Sequence, residues 1–219
     1  MSFSFPKIYP ILDSAIIAGA VTPQTSRAEF LQKLGSDLTR AGVTLLEYRN
    51  KTGADAELLA DAAILRAAMP AGKVKLILDD RLNLVEQTGF DGVHVDTGDA
   101  PPSEARRVLG THRIIGTFGG SQAMVPGILE QPANYFSIGL VFPTTTKQTT
   151  KAPIGPEGVR KLRLEAGPEP ILVAVGGITL QTAPAVLAAG ASVVAVAAAI
   201  FRQPDPAAEF ERWMAALAS

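Results

Sequence analysis

The chain has 219 residues, of which 47% are hydrophobic and 19% charged, which is enough for a buried core and too apolar for a disordered segment. A formal net charge of −1 leaves no whole-molecule basic field for nucleic acid or a membrane surface, so any anion site must be local. The lack of cysteine excludes disulfides, thiolate metal sites and cysteine nucleophiles.

Residues 1–7 contain no basic region leading into a long apolar run, and no signal peptide is expected. Residues 7–12 form a predicted strand, followed by a loop of small residues. Ser26 caps a predicted helix over residues 29–41, with Glu29 completing a capping box and Gly42 ending it. A strand at 44–49, a helix at 55–69 stopped by Pro70 and Gly72, and a near-continuous apolar strand at 74–78 come next. A short helix at 82–87, a strand at 92–95 and a helix from Pro102 to Leu109 follow. The fifth strand is predicted at 114–117 with a helix at 123–129, and the sixth at 135–138 with a helix opening at Pro156. Residues 171–175, 182–189, 193–196 and 206–218 complete the pattern as strand, helix, strand and helix. Residues 182–201 carry no charge and approach the length of a membrane span. Pro184, Gly190 and Ser192 favour a helix, a buried strand and a new helix start there, and the protein is expected to be soluble and cytoplasmic.

Eight strand-then-helix units of about 27 residues suit βαβ crossovers. With no linker or shift in composition, residues 1–219 are expected to form one α/β domain, a (β/α)8 TIM barrel, with an open doubly wound sheet as the alternative. In such barrels the site lies at the carboxyl ends of the strands, which selects the residues to inspect.

After the sixth strand, residues 140–151 hold five threonines and two lysines and no acid. Hydroxyls, amides and ammonium groups are what a phosphate or diphosphate needs, although a Thr/Lys stretch taken alone is more often a solvated loop. After the second strand, Glu47, Arg49 and Lys51 share a face opposite Tyr48, either as a ligand site or as an internal Glu47–Arg49 ion pair. Asp79-Asp80 and Asp96…Asp99 end the third and fourth strands, where four carboxylates suit Mg²⁺ together with substrate phosphate oxygens. Any one of them alone reads better as a helix cap or turn residue. His94 ends the fourth strand, whereas His112 falls in a turn at the opposite face and is set aside. Gly176-Gly177 after the seventh strand and Ala197-Ala198 after the eighth occupy the place of a recurrent barrel phosphate site. Two anion sites beside an acidic patch imply two phosphorylated substrates, or one bisphosphate.

These strand-end motifs, in order, are Tyr48-Arg49-x-Lys51, Asp79-Asp80-Arg81, Asp91-Gly92-Val93-His94-x4-Asp99, Ile115-Gly116-Thr117, Phe142-x-Thr144-x-Thr146-Lys147, Val175-Gly176-Gly177-Ile178 and Gly190-Ala191-x4-Val196. The ordered set resembles the thiamine phosphate synthase (thiamine-phosphate pyrophosphorylase) family and, less specifically, the wider family that includes the thiazole tautomerase. The resemblance implies coupling of hydroxymethylpyrimidine diphosphate to thiazole phosphate with loss of diphosphate, assisted by Mg²⁺. It implies that Arg49, Lys51 and His94 surround the pyrimidine and its diphosphate, and that Asp80 and Asp99 bind magnesium. Thr117, Thr144, Thr146 and Lys147 would then cradle diphosphate, with Lys147, Arg49 and Lys51 as the catalytic cations. Gly177, Ala197 and Ala198 match the thiazole-phosphate site.

Several positions depart from that pattern. Glu47 stands for Gln and Asp79 for Asn at the pyrimidine, and Asp96-Thr97 replaces Gly-Gln. Thr117 and Ala198 replace Ser, and Gly139-Leu140 replaces Gly-Pro. Glu47 and Asp79 add charge where a neutral amide is usual; if they face each other and share a proton, one of them donates much as an amide does. The competing readings are a tautomerase-like enzyme, a catalytically silent phosphate- or thiamine-phosphate-binding barrel, and another phosphosugar-handling barrel. Expected partners are small phosphorylated molecules, with a homo-oligomer allowed and neither nucleic acid nor membrane.

Overall fold

The computed structural model describes residues 3–21, 25–144 and 152–218. Eight parallel strands close into a barrel in sequential order: β1 (Ile8–Asp13), β2 (Leu45–Arg49), β3 (Lys75–Asp79), β4 (Gly92–Val95), β5 (Ile114–Gly120), β6 (Tyr135–Gly139), β7 (Leu172–Val175) and β8 (Val193–Val196). β8 pairs back onto β1 through Tyr9↔Ala195, so the sheet has no open edge and the doubly wound alternative is excluded. The helices are α1 (Ser14–Ala20), α2 (Arg27–Arg40), α3 (Asp55–Ala68), α4 (Val85–Thr88, after a 3-10 turn over Leu82–Leu84), α5 (Pro102–Leu109), α6 (Gly155–Ala166), α7 (Ala183–Ala188), α8 (Ala198–Phe201) and α9 (Pro206–Leu217). Among the described residues, no helix is long and apolar enough to cross a membrane. The uncharged stretch resolves into α7, β8 and α8, as Pro184 and Gly190 imply.

Strand alternation splits the core in two. Leu46, Tyr48, Leu76, Leu78, Val93, Ile115 and Phe136 face the helices and pack in the larger cluster. Tyr9, Leu45, Ile77, Ile114, Tyr135, Val173, Val193 and Ala195 fill the barrel interior, with Phe3 and Phe5 packed against them. That interior is mostly branched aliphatic, as close packing of a small barrel demands, and Tyr9 and Tyr135 are its two aromatic members.

α2 begins at the expected capping box: the Ser26 Oγ accepts from the Glu29 N–H at 3.2 Å, and the Ser26 N–H donates to Glu29 Oε2 at 2.9 Å. Ser26→Ala is expected to cost about 1 kcal/mol, read as a lower urea midpoint with unchanged slope. On the outer face, Asp61 is buried under Arg27, which donates to it from Nε at 2.8 Å and Nη2 at 2.6 Å, while the Tyr48 hydroxyl donates to the same carboxylate. Tyr48 therefore ties β2 to α3, confirming that its side chain lies opposite Glu47 and Arg49.

Two elements differ from expectation. The loop predicted after β1 contains α1, capped by Asp13, whose carboxylate accepts from the Ala15 N–H at 2.9 Å. The helix predicted at 123–129 is absent, so one of the eight units lacks it. Pro126 offers no N–H and Gly127 has φ +70°, which together break a helical ladder. The segment is instead pinned by the Val125 N–H to the Gly119 carbonyl (2.7 Å) and by Glu165 of α6, which accepts from the Met124 N–H (2.9 Å).

Candidate active site

The ends of β1, β2 and β3 bring Arg49 and Lys51 together with Asp13, Asp79 and Asp80. Arg49 donates through Nη1 to Asp13, and its Nε lies 3.2 Å from Asp79 Oδ2. Lys51 donates to Asp80 and lies 3.4 Å from the same Asp79 oxygen. That oxygen is within ion-pair distance of both cations and in hydrogen-bond geometry with neither. The Glu47–Arg49 ion pair does not form, because Arg49 is taken by Asp13 and Asp79. Asp13 is a site acid that the sequence reading missed. It is the residue immediately after the predicted first strand, so the strand-end rule applied to every other strand would have found it.

Asp80 and Arg81 follow β3 with φ of +57° and +44°, two successive left-handed residues neither of which is glycine. Such backbone is costly and persists where surrounding contacts enforce it. Here the Asp80 N–H is held by the His94 carbonyl at 2.8 Å, and the Arg81 side chain is anchored on Asp55 and on the Gly53 carbonyl at 3.1 Å. The turn leaves Asp80 Oδ1 buried without a partner while Oδ2 meets Lys51. Asp99 is exposed and closes a turn by accepting from the Asp96 N–H at 2.8 Å. Among the described residues no three acids or histidines cluster as a metal cage. The unpartnered buried Asp80 Oδ1 and the exposed Asp99 are carboxylate donors of the kind a hard cation with water and substrate oxygens in its shell would use.

Glu47 sits on the interior face of β2, 5% exposed, and accepts a hydrogen bond from the Tyr9 hydroxyl at 2.8 Å. Burial first, and the nearby Asp79 charge second, push its carboxyl up to about 8. Because the folded state holds this proton more tightly than the unfolded chain, Glu47 contributes stability that is full below the ordinary carboxyl range and is lost as pH rises toward 8. Glu47→Gln is expected to remove that decline, a difference of a few kcal/mol at most, since a tenfold change in proton affinity is worth about 1.4 kcal/mol. Parallel urea melts at pH 5 and pH 8 check it; an equal dependence on pH in both proteins would mean the acid is ionised throughout.

The Tyr9 hydroxyl is also 2.9 Å from that of Tyr135, which lies 3.1 Å from His94 Nδ1. His94 is buried, which disfavours its cation and lowers its pKa. The rings of His94 and Tyr135 stack with centroids 5.5 Å apart. Gly116 lies between them in register, and its missing side chain provides the space for the Tyr135 ring: a Cβ there would fall 1.9 Å from Cζ. His112 lies at the opposite end, lining a cavity with Phe3 and Phe5.

Thr117 is a correction. Its register partners Val95 and Phe136 both belong to the outer cluster, so alternation sets it on the helix side of β5. The interior position is Phe118, which has no hydroxyl, but its register partner Ser137 brings one to the interior face of β6. Ser137 lies inside the strand and not after it, so strand-end position alone does not mark it.

Gly177 has φ +63°, and a Cβ there would fall 2.3 Å from the Pro143 carbonyl oxygen. The Val141 and Phe142 N–H groups donate to the Val175 and Gly176 carbonyls, each at 2.9 Å. The glycine pair thus lets the segment leading to Thr144 lie directly against the end of β7. Ala197 precedes α8 and its carbonyl accepts from the Ile200 and Phe201 N–H groups at 3.1 and 3.0 Å, with Ala198 opening the helix. Thr144 is the last described residue of its segment; Thr146 and Lys147 lie outside the described residues.

The family model described as thiamine monophosphate synthase matches residues 18–200. The chain is 35% identical over 199 residues to a thiamine-phosphate synthase of Agrobacterium fabrum, covering 90% of this chain and 86% of that one. It is 37% identical over 207 residues to one from Koribacter versatilis, covering 94% of each. A solved thiamine phosphate pyrophosphorylase from Pyrococcus furiosus superposes with a TM-score of 0.73 at 24% identity, over 96% of this chain and 94% of that chain, and shares the fold. The chain belongs to the thiamine monophosphate synthase family.

Proposed function

We propose that this protein is a transferase of thiamine biosynthesis that couples hydroxymethylpyrimidine diphosphate to thiazole phosphate, giving thiamine phosphate and diphosphate. The observation that carries the reading is the mouth formed by β2 and β3, where Arg49 and Lys51 share the buried Asp79 and Asp80 keeps an unpartnered buried oxygen. Two cations there face Asp13, Asp79 and Asp80, a net charge of −1 that cannot by itself draw in a diphosphate. Asp80 and Asp99 would hold a divalent cation, which would offset that negative charge and neutralise charge on the leaving oxygens. Arg49 and Lys51, loosely engaged at Asp79, re-aim toward the diphosphate. Thr144, Thr146 and Lys147 supply further donors from the segment after β6.

The carbon–oxygen bond to diphosphate breaks with its electron pair leaving on oxygen, and the thiazole nitrogen bonds to the resulting benzylic-type carbon. The chain's task is to neutralise the leaving group and to hold the two halves in line; no covalent enzyme intermediate is needed. Glu47, with Asp79 and His94, faces the aminopyrimidine. The backbone at Gly177, Ala197 and Ala198 receives the thiazole phosphate.

The test is to supply both phosphorylated halves with Mg²⁺ and follow diphosphate release alongside thiamine phosphate formation. No turnover by folded protein overturns the reading. A tautomerase-like activity is the second reading, favoured by the raised pKa of Glu47 and the lowered pKa of His94. It would appear in the same experiment as a changed thiazole without diphosphate release.

A further inference from the structure

Glu47, Tyr9, Tyr135 and His94 form a continuous hydrogen-bonded row across the barrel interior, from β2 through β1 and β6 to β4, with steps of 2.8, 2.9 and 3.1 Å. Every member is buried, and the ring that carries the row to His94 exists only because Gly116 leaves it room. Each hydroxyl in such a row has one hydrogen to give, so the direction at one end decides the direction at the other.

We propose that Tyr9 and Tyr135 are positioning residues that relay the acceptor oxygen of Glu47 to His94 and hold its imidazole as the Nδ1–H tautomer, leaving the Nε2 lone pair to accept an N–H from the bound aminopyrimidine. Tyr9 donates to Glu47 Oε2. The Tyr9 oxygen is then the acceptor for Tyr135, and the Tyr135 oxygen the acceptor for Nδ1–H. Glu47 serves in this role whether ionised or carrying its proton on Oε1, since Oε2 accepts in both cases. The relay assigns a proton to Nδ1, and a ring with that single N–H keeps its Nε2 lone pair. Among the described residues no hydrogen bond engages Nε2. An imidazole in this state accepts from an amino group and offers nothing to a diphosphate, which separates His94 from Arg49 and Lys51 in function.

The assignment of the ligand rests on the synthase reading, whereas the tautomer is read in the protein alone, so the two fail separately. The experiment is two-bond ¹H–¹⁵N correlation on ¹⁵N-histidine-labelled full chain at fixed pH without substrate. The protein has two histidines, and His112→Gln assigns the spectrum. The wild type is expected to show a protonated Nδ1 and a pyridine-type Nε2. Tyr9→Phe, two hydroxyls from the ring, strips Tyr135 of its acceptor. The Tyr135 hydrogen then turns to Nδ1, and the tautomer ratio shifts toward Nε2–H by about fivefold or more, the scale of one net hydrogen bond. Tyr135→Phe removes the partner outright and shifts the ratio in the same direction. A wild-type ring protonated at Nε2, or an unchanged ratio in a Tyr9→Phe protein with native circular dichroism, overturns the proposal. Should a variant fail to fold, the wild-type spectrum still decides.

Discussion

Replacing Asp80 by asparagine is expected to lower turnover about a hundredfold to a thousandfold, the scale for losing one well-placed electrostatic contact to a leaving group. It is also expected to shift the magnesium dependence to higher concentration. The substitution keeps the shape of the side chain and removes its charge. Lys51 keeps Asp79 at 3.4 Å, so the site is not left with a stranded cation. What is lost is the anionic character of the buried Oδ1, which no protein group satisfies. An apolar surrounding makes such an oxygen costly unless a cation meets it. Asp99→Asn is expected to weaken magnesium dependence less, because Asp99 is exposed and already closes a turn with the Asp96 amide. Initial rates against Mg²⁺ concentration decide between them. If neither variant changes that curve, the acids serve only as turn residues.

Gly116→Ala is expected to destabilise the fold by about 3 kcal/mol, the upper end for forcing atoms into a packed interior. The added Cβ would lie 1.9 Å from Tyr135 Cζ and 2.3 Å from its hydroxyl oxygen, so the ring must leave its place. Leaving is difficult, because Phe5 and Tyr9 pack edge-on against that ring at 5.5 and 5.7 Å. The same displacement severs His94 from Tyr135 and cuts turnover as well as stability. Adding Tyr135→Leu, which removes the atoms in conflict, is expected to recover part of the stability and none of the His94 contact. Urea midpoints of the two single variants and the double variant form the cycle that tests this. Additive losses would mean the glycine is needed for its backbone alone.

Much of the architecture is legible in local chemistry. The apolar runs at residues 74–78 and 193–196, the capping box at Ser26 and the punctuation at Gly42, Pro70 and Gly89 each reflect preferences of a few adjacent residues. Those preferences survive folding, so the strands and most helices fall where the sequence puts them. Two exceptions have local explanations: α1 is built from small residues with little polar alternation, and Pro126-Gly127 should have argued against a helix at 123–129.

The site divides in the same way. Which residues sit at strand ends, and so which face the mouth, follows from strand placement alone; Arg49, Lys51, Asp79, Asp80 and His94 meet for that reason. Whether a strand residue faces inward depends on one step of register, and Thr117 shows the consequence of counting from the wrong position. Pairings between distant strands depend on barrel closure. No spacing in the chain reveals that Tyr9 meets Glu47, that Tyr135 reaches His94 through the gap at Gly116, or that Asp13 holds Arg49.

Residue type and period are enough to establish the eightfold alternation, the end of the barrel that carries the chemistry and the charged groups placed there. The state of those groups emerges only once the barrel closes. Burial raises the pKa of Glu47, the partners Asp13 and Asp79 occupy Arg49, and side chains from four strands meet across the barrel to form one row. Each of these depends on desolvation and on distances between residues far apart in the chain, which local pattern does not encode.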